Sequence, residues 1–82
     1  AGGRSVYREW YQITAMLQKK VADKINIAPT RDRISKEVYR YGARNTAEWF
    51  AEAFAEGMRS STPRRMAVEL MKELDEIMRR LR

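Results

Sequence analysis

The chain has 82 residues, and its 17 lysine and arginine residues outnumber its 11 aspartate and glutamate residues, giving a net charge of +6. It contains neither cysteine nor histidine, which excludes disulfide frameworks and thiolate metal sites and removes the commonest general base. No apolar run reaches the roughly 18 residues of a membrane span, so we expect no membrane partner. We expect residues 1–82 to form a single small helical domain.

The first predicted helix runs from about Ser5, a candidate N-cap, to Ile25. Its apolar residues recur mostly every four positions, which predicts one buried stripe. The stripe consists of Val6, Trp10, Ile13, Leu17, Val21 and Ile25. The segment 26–29 ends the helix, because its proline has no amide hydrogen and disfavours helix at the preceding residue.

A second, shorter helix is predicted to begin after Thr30, whose hydroxyl can accept a hydrogen bond from an amide of the first turn. Its inner side would carry Ile34, Val38 and Tyr41. Gly42 is expected to end this helix, because glycine adopts the left-handed conformation that closes many helices.

The third predicted helix has the strongest start signal in the chain. Asn45 is expected to cap it, and Glu48 to complete a capping box by accepting from the Asn45 amide; Gly57 is expected to end it. One face is apolar and is predicted to be buried, with Trp49, Phe50, Ala53, Phe54 and Met58. The opposite face carries Glu48, Glu52 and Glu56 one turn apart, a row that is either solvated or retained for a function.

The fourth predicted helix follows Thr62 as N-cap, has Pro63 as its first residue and runs to about Arg82. Its predicted apolar stripe contains Met66, Leu70, Leu74, Ile77, Met78 and Leu81. Its charged residues are expected outside the core: Glu69, Lys72, Glu73, Glu76 and Arg80. Short connections between these elements predict an all-α fold, a compact bundle of about four amphipathic helices.

The positive charge is concentrated in the first half of the chain. Up to Arg44 the chain contains ten lysine and arginine residues and four acidic residues, whereas after Arg44 it contains seven basic and seven acidic residues. A basic row lies along and after the second predicted helix, and it consists of Arg31, Arg33, Lys36, Arg40 and Arg44. Such a row attracts polyanions, but it includes no aromatic platform and no recognition helix with base-reading side chains. It therefore predicts at most weak, non-specific nucleic-acid binding.

Another possible class of function is a protein–protein assembly module. It would be favoured by exposure of large apolar side chains that have no partner in the isolated fold. The candidates are Trp10, Trp49, Phe50 and Met71.

Residues 41–54 carry a family resemblance. They read YGARNTAEWFAEAF, which resembles the Tyr-Gly-x-x-Asn-x-x-Glu-Phe-Phe-Ala-Glu-Ala-Phe segment of the anthrax lethal factor-like zinc proteases, a gluzincin group. The same segment occurs in phage and mobile-element proteins, some associated with minor head proteins. The close resemblance ends at Phe54, and a looser helical one continues to the C-terminus. Trp49 replaces the usual phenylalanine.

The resemblance assigns roles to three residues. It implies that Glu48 occupies the position of the zinc-ligating glutamate and Tyr41 that of a tyrosine whose hydroxyl helps to stabilise the oxyanion. Glu52 would occupy the position of a carboxylate that hydrogen-bonds a ligating histidine. These roles suit the chemistry, because a carboxylate completes a zinc site with two histidines and a neighbouring carboxylate fixes a histidine tautomer. The His-Glu-x-x-His helix that supplies the other ligands in that family is missing from this sequence.

We therefore expect the chain to be the C-terminal helical subdomain of a lethal factor-like zinc protease or of a phage-associated relative. Zinc would be bound by the intact parent protein, whereas this chain alone would hold no cofactor and be inactive. Its binding partner would be the remainder of the parent protein. A cytoplasmic or phage-associated location is expected rather than a secreted one.

The same residues also have a purely structural interpretation. Glu48 can act only as a capping residue, and the ring of Tyr41 can lie in the core with its hydroxyl on a backbone carbonyl. Glu52 and Glu56 can be solvated, or can pair with Arg59 and Arg44.

Overall fold

A computed structural model of the chain describes the backbone of residues 2–81 and the side chains of residues 6–81. Its elements are α1 (Gly2–Lys24), α2 (Arg31–Ile34), a 3-10 turn (Arg40–Ala43), α3 (Thr46–Arg59) and α4 (Arg65–Arg80). Between residues 2 and 81 no strand forms, and the predicted all-α bundle of about four helices is confirmed. No helix in that range is long and apolar enough to cross a membrane.

The core lies where α1, α3 and α4 meet. Its buried apolar side chains are Leu17, Val21, Ala22, Ile27, Ile34, Val38, Trp49, Ala53, Met66 and Leu70. Trp49 is the largest of them and is completely buried. Its indole Nε1–H donates to the sulfur of Met66 at 3.3 Å, so the one polar atom of the ring has a partner in the core.

The apolar stripe of α1 is buried only in its second half. Leu17 and Val21 lie in the core as predicted, but the stripe residues of the first half are exposed: Val6, Trp10 and Ile13. The helix also begins at Gly2, before the predicted N-cap Ser5. It ends at Lys24, one residue before the predicted end at Ile25, and Asn26 then adopts a left-handed conformation with φ of 58°, which asparagine tolerates better than most residues. The rest of the described chain therefore covers α1 incompletely.

The second predicted helix is interrupted. Thr30 caps α2 as predicted, with its Oγ1 accepting from the Arg33 amide at 3.3 Å, but α2 ends after one turn at Ile34. The chain continues through turns to the 3-10 turn, so Tyr41 is 57% exposed instead of facing inward. A continuous helix would align Ile34, Val38 and Tyr41, whereas the break lets the first two enter the core and leaves the tyrosine outside.

The prediction that Gly42 and Gly57 end helices in a left-handed conformation is wrong, because neither glycine has a positive φ. Both permit close packing instead. A Cβ on Gly42 would lie 2.7 Å from Cγ2 of Val38, and a Cβ on Gly57 would lie 2.5 Å from Cγ of Met71. These glycines bring the 3-10 turn against α3, and α3 against α4, and α3 continues past Gly57 to Arg59.

The start of α3 agrees with the prediction more closely than its buried face does. Asn45 Oδ1 accepts from the Glu48 amide at 2.8 Å, although no bond from the Asn45 amide to the Glu48 carboxylate forms among the described residues, so only half of the capping box is present. On the predicted buried face, Phe50 is half-buried. Phe54 and Met58 are 38% and 63% exposed. Trp10 of α1 contacts Phe50, and the rest of that edge of α3 is covered incompletely.

Helix α4 begins two residues later than predicted. Arg64, and not Thr62, is its N-cap residue, and it makes no side-chain capping bond. The Arg64 amide donates to Oε2 of Glu56 at 2.6 Å, so a carboxylate from α3 holds the start of α4. At the other end, Met78 and Leu81 are exposed although both were predicted to be buried.

Candidate functional site

The three residues singled out by the family resemblance lie on two neighbouring elements. Tyr41 belongs to the 3-10 turn, and Glu48 and Glu52 lie one turn apart on α3. The turn packs against α3 at Gly42, where an added Cβ would be 3.3 Å from Cβ of Glu52. Tyr41 and Glu48 are exposed and Glu52 is half-buried, so all three side chains are accessible. The predicted burial of the tyrosine ring is thereby excluded.

The carboxylates of α3 differ in their electrostatic partners. Glu48 and Glu52 form no ion pair with any side chain of residues 6–81. Glu56 is bound by Arg64, whose Nη2 donates to Oε1 at 2.6 Å, and not by Arg44 or Arg59 as the structural interpretation suggested. Side-chain and backbone hydrogen bonds from Arg64 hold the pKa of Glu56 below its ordinary value. The predicted acidic row therefore divides into two open carboxylates and one structural ion pair.

An open groove of about 460 Å³ lies beside this row, at the junction between α3 and α4. Glu52, Arg59 and the Glu56–Arg64 pair line it, but Glu48 and Tyr41 do not. The fold thus brings Tyr41 and Glu52 onto packed elements without enclosing all three candidate residues in one cavity.

The described residues offer few candidate ligands for zinc. No group of three or more acidic side chains with the spacing of a metal site occurs in the described range. Glu48 and Glu52 could supply two carboxylates at most, and a zinc site in a protein needs three or four ligands. Glu48 can therefore serve such a site only as one ligand among others that lie elsewhere.

A buried carboxylate on α4 was missed by the sequence analysis. Glu73 was predicted to lie outside the core, yet it is 1% exposed and forms ion pairs with Nζ of Lys20 and Lys24, each at 2.7 Å. Hydrogen bonds from the two lysines hold the pKa of Glu73 below its ordinary value. The burial of Glu73 could have been predicted from its position, because it follows Leu70 by three residues and so lies on the buried face of α4.

A second buried carboxylate joins the α2 segment to α4. Glu37 is 8% exposed and accepts from Nη2 of Arg65 at 2.6 Å, while Arg33 approaches it at 3.7 Å. The hydrogen bonds from Arg65 hold the pKa of Glu37 below its ordinary value. Arg33 is consequently engaged in a structural ion pair, although the sequence placed it in the basic row.

Three other members of the basic row share one depression. Arg31, Arg40 and Arg44 line a concave surface of about 370 Å³ between α2 and the 3-10 turn. None of the three pairs with a carboxylate among the described side chains. The guanidinium carbon of Arg44 lies 5.9 Å from the ring centroid of Tyr41, so an exposed aromatic ring borders the same surface.

Comparison of this chain with protein-family models, with curated proteins and with solved structures finds no match. The resemblance of residues 41–54 to lethal factor-like proteases therefore stays a prediction.

Proposed function

We propose that this chain is the helical subdomain of a lethal factor-like zinc protease, or of a phage-associated relative, and contributes one ligand to the zinc site. The supporting observation is the contrast along α3. Glu56 is neutralised by Arg64, whereas Glu48 and Glu52 are accessible and have no cation partner among the described residues. An exposed, unpaired carboxylate is available to a metal ion whose remaining ligands come from another segment.

The three residues would have separate tasks in the assembled site. Glu48 would provide an oxygen ligand, and Glu52, one turn away and half-buried, would accept a hydrogen bond from the ring N–H of a ligating histidine. The exposed hydroxyl of Tyr41 would donate to the oxyanion that forms during peptide hydrolysis. Zinc, when bound by the complete site, would supply Lewis-acid polarisation of the scissile carbonyl.

The contact at Gly42 supports this arrangement. The 3-10 turn approaches α3 so closely that a side chain at position 42 would meet Val38 and Glu52. The backbone next to Tyr41 is therefore held against the helix that carries both carboxylates. Such packing suits residues that must keep a constant relative position.

The decisive experiment begins with the sequence encoded beside this chain. A His-Glu-x-x-His segment upstream is expected, and its absence would refute the proposal. The longer protein should then bind zinc stoichiometrically in equilibrium dialysis. Glu48→Gln should abolish that binding, and Glu52→Gln should weaken it by about 10–100-fold. Glu9→Gln is the matched control, because Glu9 is an exposed carboxylate on α1 without an ion pair among the described residues.

The isolated chain provides a complementary test. It should bind zinc no more tightly than millimolar and show no peptidase activity, because it has no histidine. Glu52→Gln should leave its melting temperature unchanged or slightly higher, since a like-charge neighbour is removed and no partner is lost. Stoichiometric zinc binding at micromolar affinity in calorimetry would contradict this prediction.

A second candidate function, a protein–protein assembly module, is favoured by an exposed aromatic surface. Trp10 is 40% exposed and contacts Phe50 edge to face, with ring centroids 5.2 Å apart. Phe50 in turn stacks on Phe54 at 5.8 Å. Trp49 does not contribute, because it is buried. The surface formed by Trp10, Phe50 and Phe54 is the one through which the chain would contact the remainder of its parent protein.

Hydrogen exchange distinguishes this second candidate. Amides around Trp10 and Phe54 should exchange more slowly in the longer protein than in the isolated chain if this surface is covered there. The buried segment around Leu70 serves as the internal reference. Equal exchange near Trp10 and Phe54 in both proteins would exclude the aromatic surface as the contact.

A further inference from the structure

The depression between α2 and the 3-10 turn concentrates unpaired positive charge. Arg31 opens α2, Arg40 opens the 3-10 turn and Arg44 follows it, and all three line the same surface. Within the described part of the chain, none of these arginines is neutralised by a carboxylate. Asp32 is the one acidic residue on the lining, so positive charge predominates there.

Besides Asp32, the other polar group on the lining is the Ser35 hydroxyl, and it is already occupied. The Ser35 hydroxyl donates to the backbone carbonyl of Asp32 at 2.8 Å, and Arg33 is drawn away by Glu37. The ligand chemistry is therefore set by three guanidinium groups. Guanidinium remains charged at all physiological pH values and offers paired N–H donors that match phosphate oxygens.

The neighbouring aromatic ring narrows the class of ligand. Tyr41 is 57% exposed and its ring lies beside the Arg44 guanidinium, at 5.9 Å from centroid to carbon. Basic grooves bordered by exposed aromatic rings bind single strands, because unpaired bases stack on the rings while arginines contact phosphates. Helix α2, with 4 residues, is too short to read base edges in the groove of a duplex.

We propose that Arg31, Arg40, Arg44 and Tyr41 form a binding site for single-stranded nucleic acid. The arginines contact consecutive phosphates, and the Tyr41 ring stacks on one base. Binding is independent of base sequence, because phosphates and stacking faces are common to all nucleotides. The site uses the ring of Tyr41, whereas the proposed zinc site uses its hydroxyl, so the two proposals can be tested separately.

The first test compares two triple variants with the same net charge. Fluorescence anisotropy with a labelled single-stranded 20-mer is measured at low and at physiological salt. The site variant carries Arg31→Gln, Arg40→Gln and Arg44→Gln. The control carries Arg8→Gln, Lys19→Gln and Arg59→Gln, which removes three exposed cations without ion pairs among the described residues.

The site variant should lose at least about tenfold more affinity than the control. The slope of the logarithm of its binding constant against the logarithm of the salt concentration should also become smaller by up to about 2, as expected when three phosphate contacts disappear. Equal losses in the two triple variants would overturn the proposal, because general attraction by net charge would then explain the binding. Circular dichroism verifies folding. If the glutamine variant does not fold, the same three positions are changed to lysine, which should weaken binding several-fold, and unchanged affinity would overturn the site.

The second test separates the ring of Tyr41 from its hydroxyl. Tyr41→Ala should weaken binding to the single strand by about 5–150-fold, which is the range for loss of one stacked base. Tyr41→Phe should retain affinity, as should Tyr7→Ala, whose exposed ring lies on α1. Loss of affinity in Tyr41→Phe equal to that in Tyr41→Ala would contradict stacking.

Competitors define the source of the phosphate. Duplex DNA of the same sequence should bind more weakly than the single strand at equal salt. Displacement of the 20-mer by inorganic tripolyphosphate at equal phosphate concentration would overturn the proposal in favour of a small polyphosphate. Tighter binding to phosphatidylglycerol vesicles, lost in the site variant, would overturn it in favour of an anionic membrane surface.

Discussion

Replacing both lysines that contact Glu73 should reverse the contribution of this carboxylate to the pH dependence of folding. In the native chain, Nζ of Lys20 and Nζ of Lys24 each lie 2.7 Å from a carboxylate oxygen of Glu73, which is 1% exposed. The variant carries Lys20→Met and Lys24→Met, because methionine preserves the apolar packing of the lysine stems and removes only the charge.

The magnitude follows from the burial of the carboxylate. Leaving Glu73 buried without a cation should cost about 3 kcal/mol at neutral pH, the lower end for an unpaired buried charge, because the half-exposed lysines show that water can approach the site. A chain of this length has a total stability of about 4–12 kcal/mol. The variant should therefore be strongly destabilised at pH 7.

The dependence on pH is the distinctive part of the prediction. In the native chain the lysines lower the pKa of Glu73. Its contribution to the free energy of unfolding is therefore fully present above the pKa of 4.5 that it has in the unfolded chain, and is lost as the pH falls through the folded pKa. Without the lysines, burial raises the pKa of Glu73. Its contribution is then present below the unfolded value and is lost as the pH rises through the folded pKa.

Urea denaturation followed by circular dichroism at several pH values between 3 and 7 measures both effects. Lys19→Met is the matched control, since Lys19 is exposed and has no ion pair within the described residues. The difference between the double variant and the control should shrink steadily as the pH falls. A loss below about 1 kcal/mol at pH 7, as for an exposed ion pair, with an unchanged pH dependence would refute the reasoning.

Three further predictions use the same denaturation assay. Trp49→Ala should cost about 3–5 kcal/mol because the ring is fully buried, and Phe54→Ala less than half as much because Phe54 is 38% exposed; equal losses would contradict the described core. Gly42→Ala should cost about 1–3 kcal/mol because its Cβ would lie 2.7 Å from Val38, and a stabilised variant would contradict that packing. Asn45→Ala should cost about 1 kcal/mol through loss of its 2.8 Å capping bond, whereas Asn45→Asp should not.

Much of the candidate site could be predicted from spacing along α3. Residues four apart on a helix share a face, so Glu48 and Glu52 had to lie together once the Asn45 cap set the start of the helix. The fate of Glu56 could not be predicted in this way. Its partner Arg64 reaches it only because the chain turns between α3 and α4, which also brings the Arg64 amide to the same carboxylate.

The sequence by itself determined the all-α class, the Thr30 and Asn45 caps, and the central core around Trp49 and Leu70. These features depend on helical periodicity and on hydrogen bonds between residues three or four apart, which are local in the chain. Tertiary structure decided which parts of each apolar stripe are covered, and it leaves the first half of the α1 stripe exposed. It also decided whether a glycine ends a helix or permits close packing. It also decided that Glu73 is buried and that Arg31, Arg40 and Arg44 meet at one surface. Those outcomes depend on contacts between distant parts of the chain, and periodicity along a single helix carries no information about which neighbour will cover it.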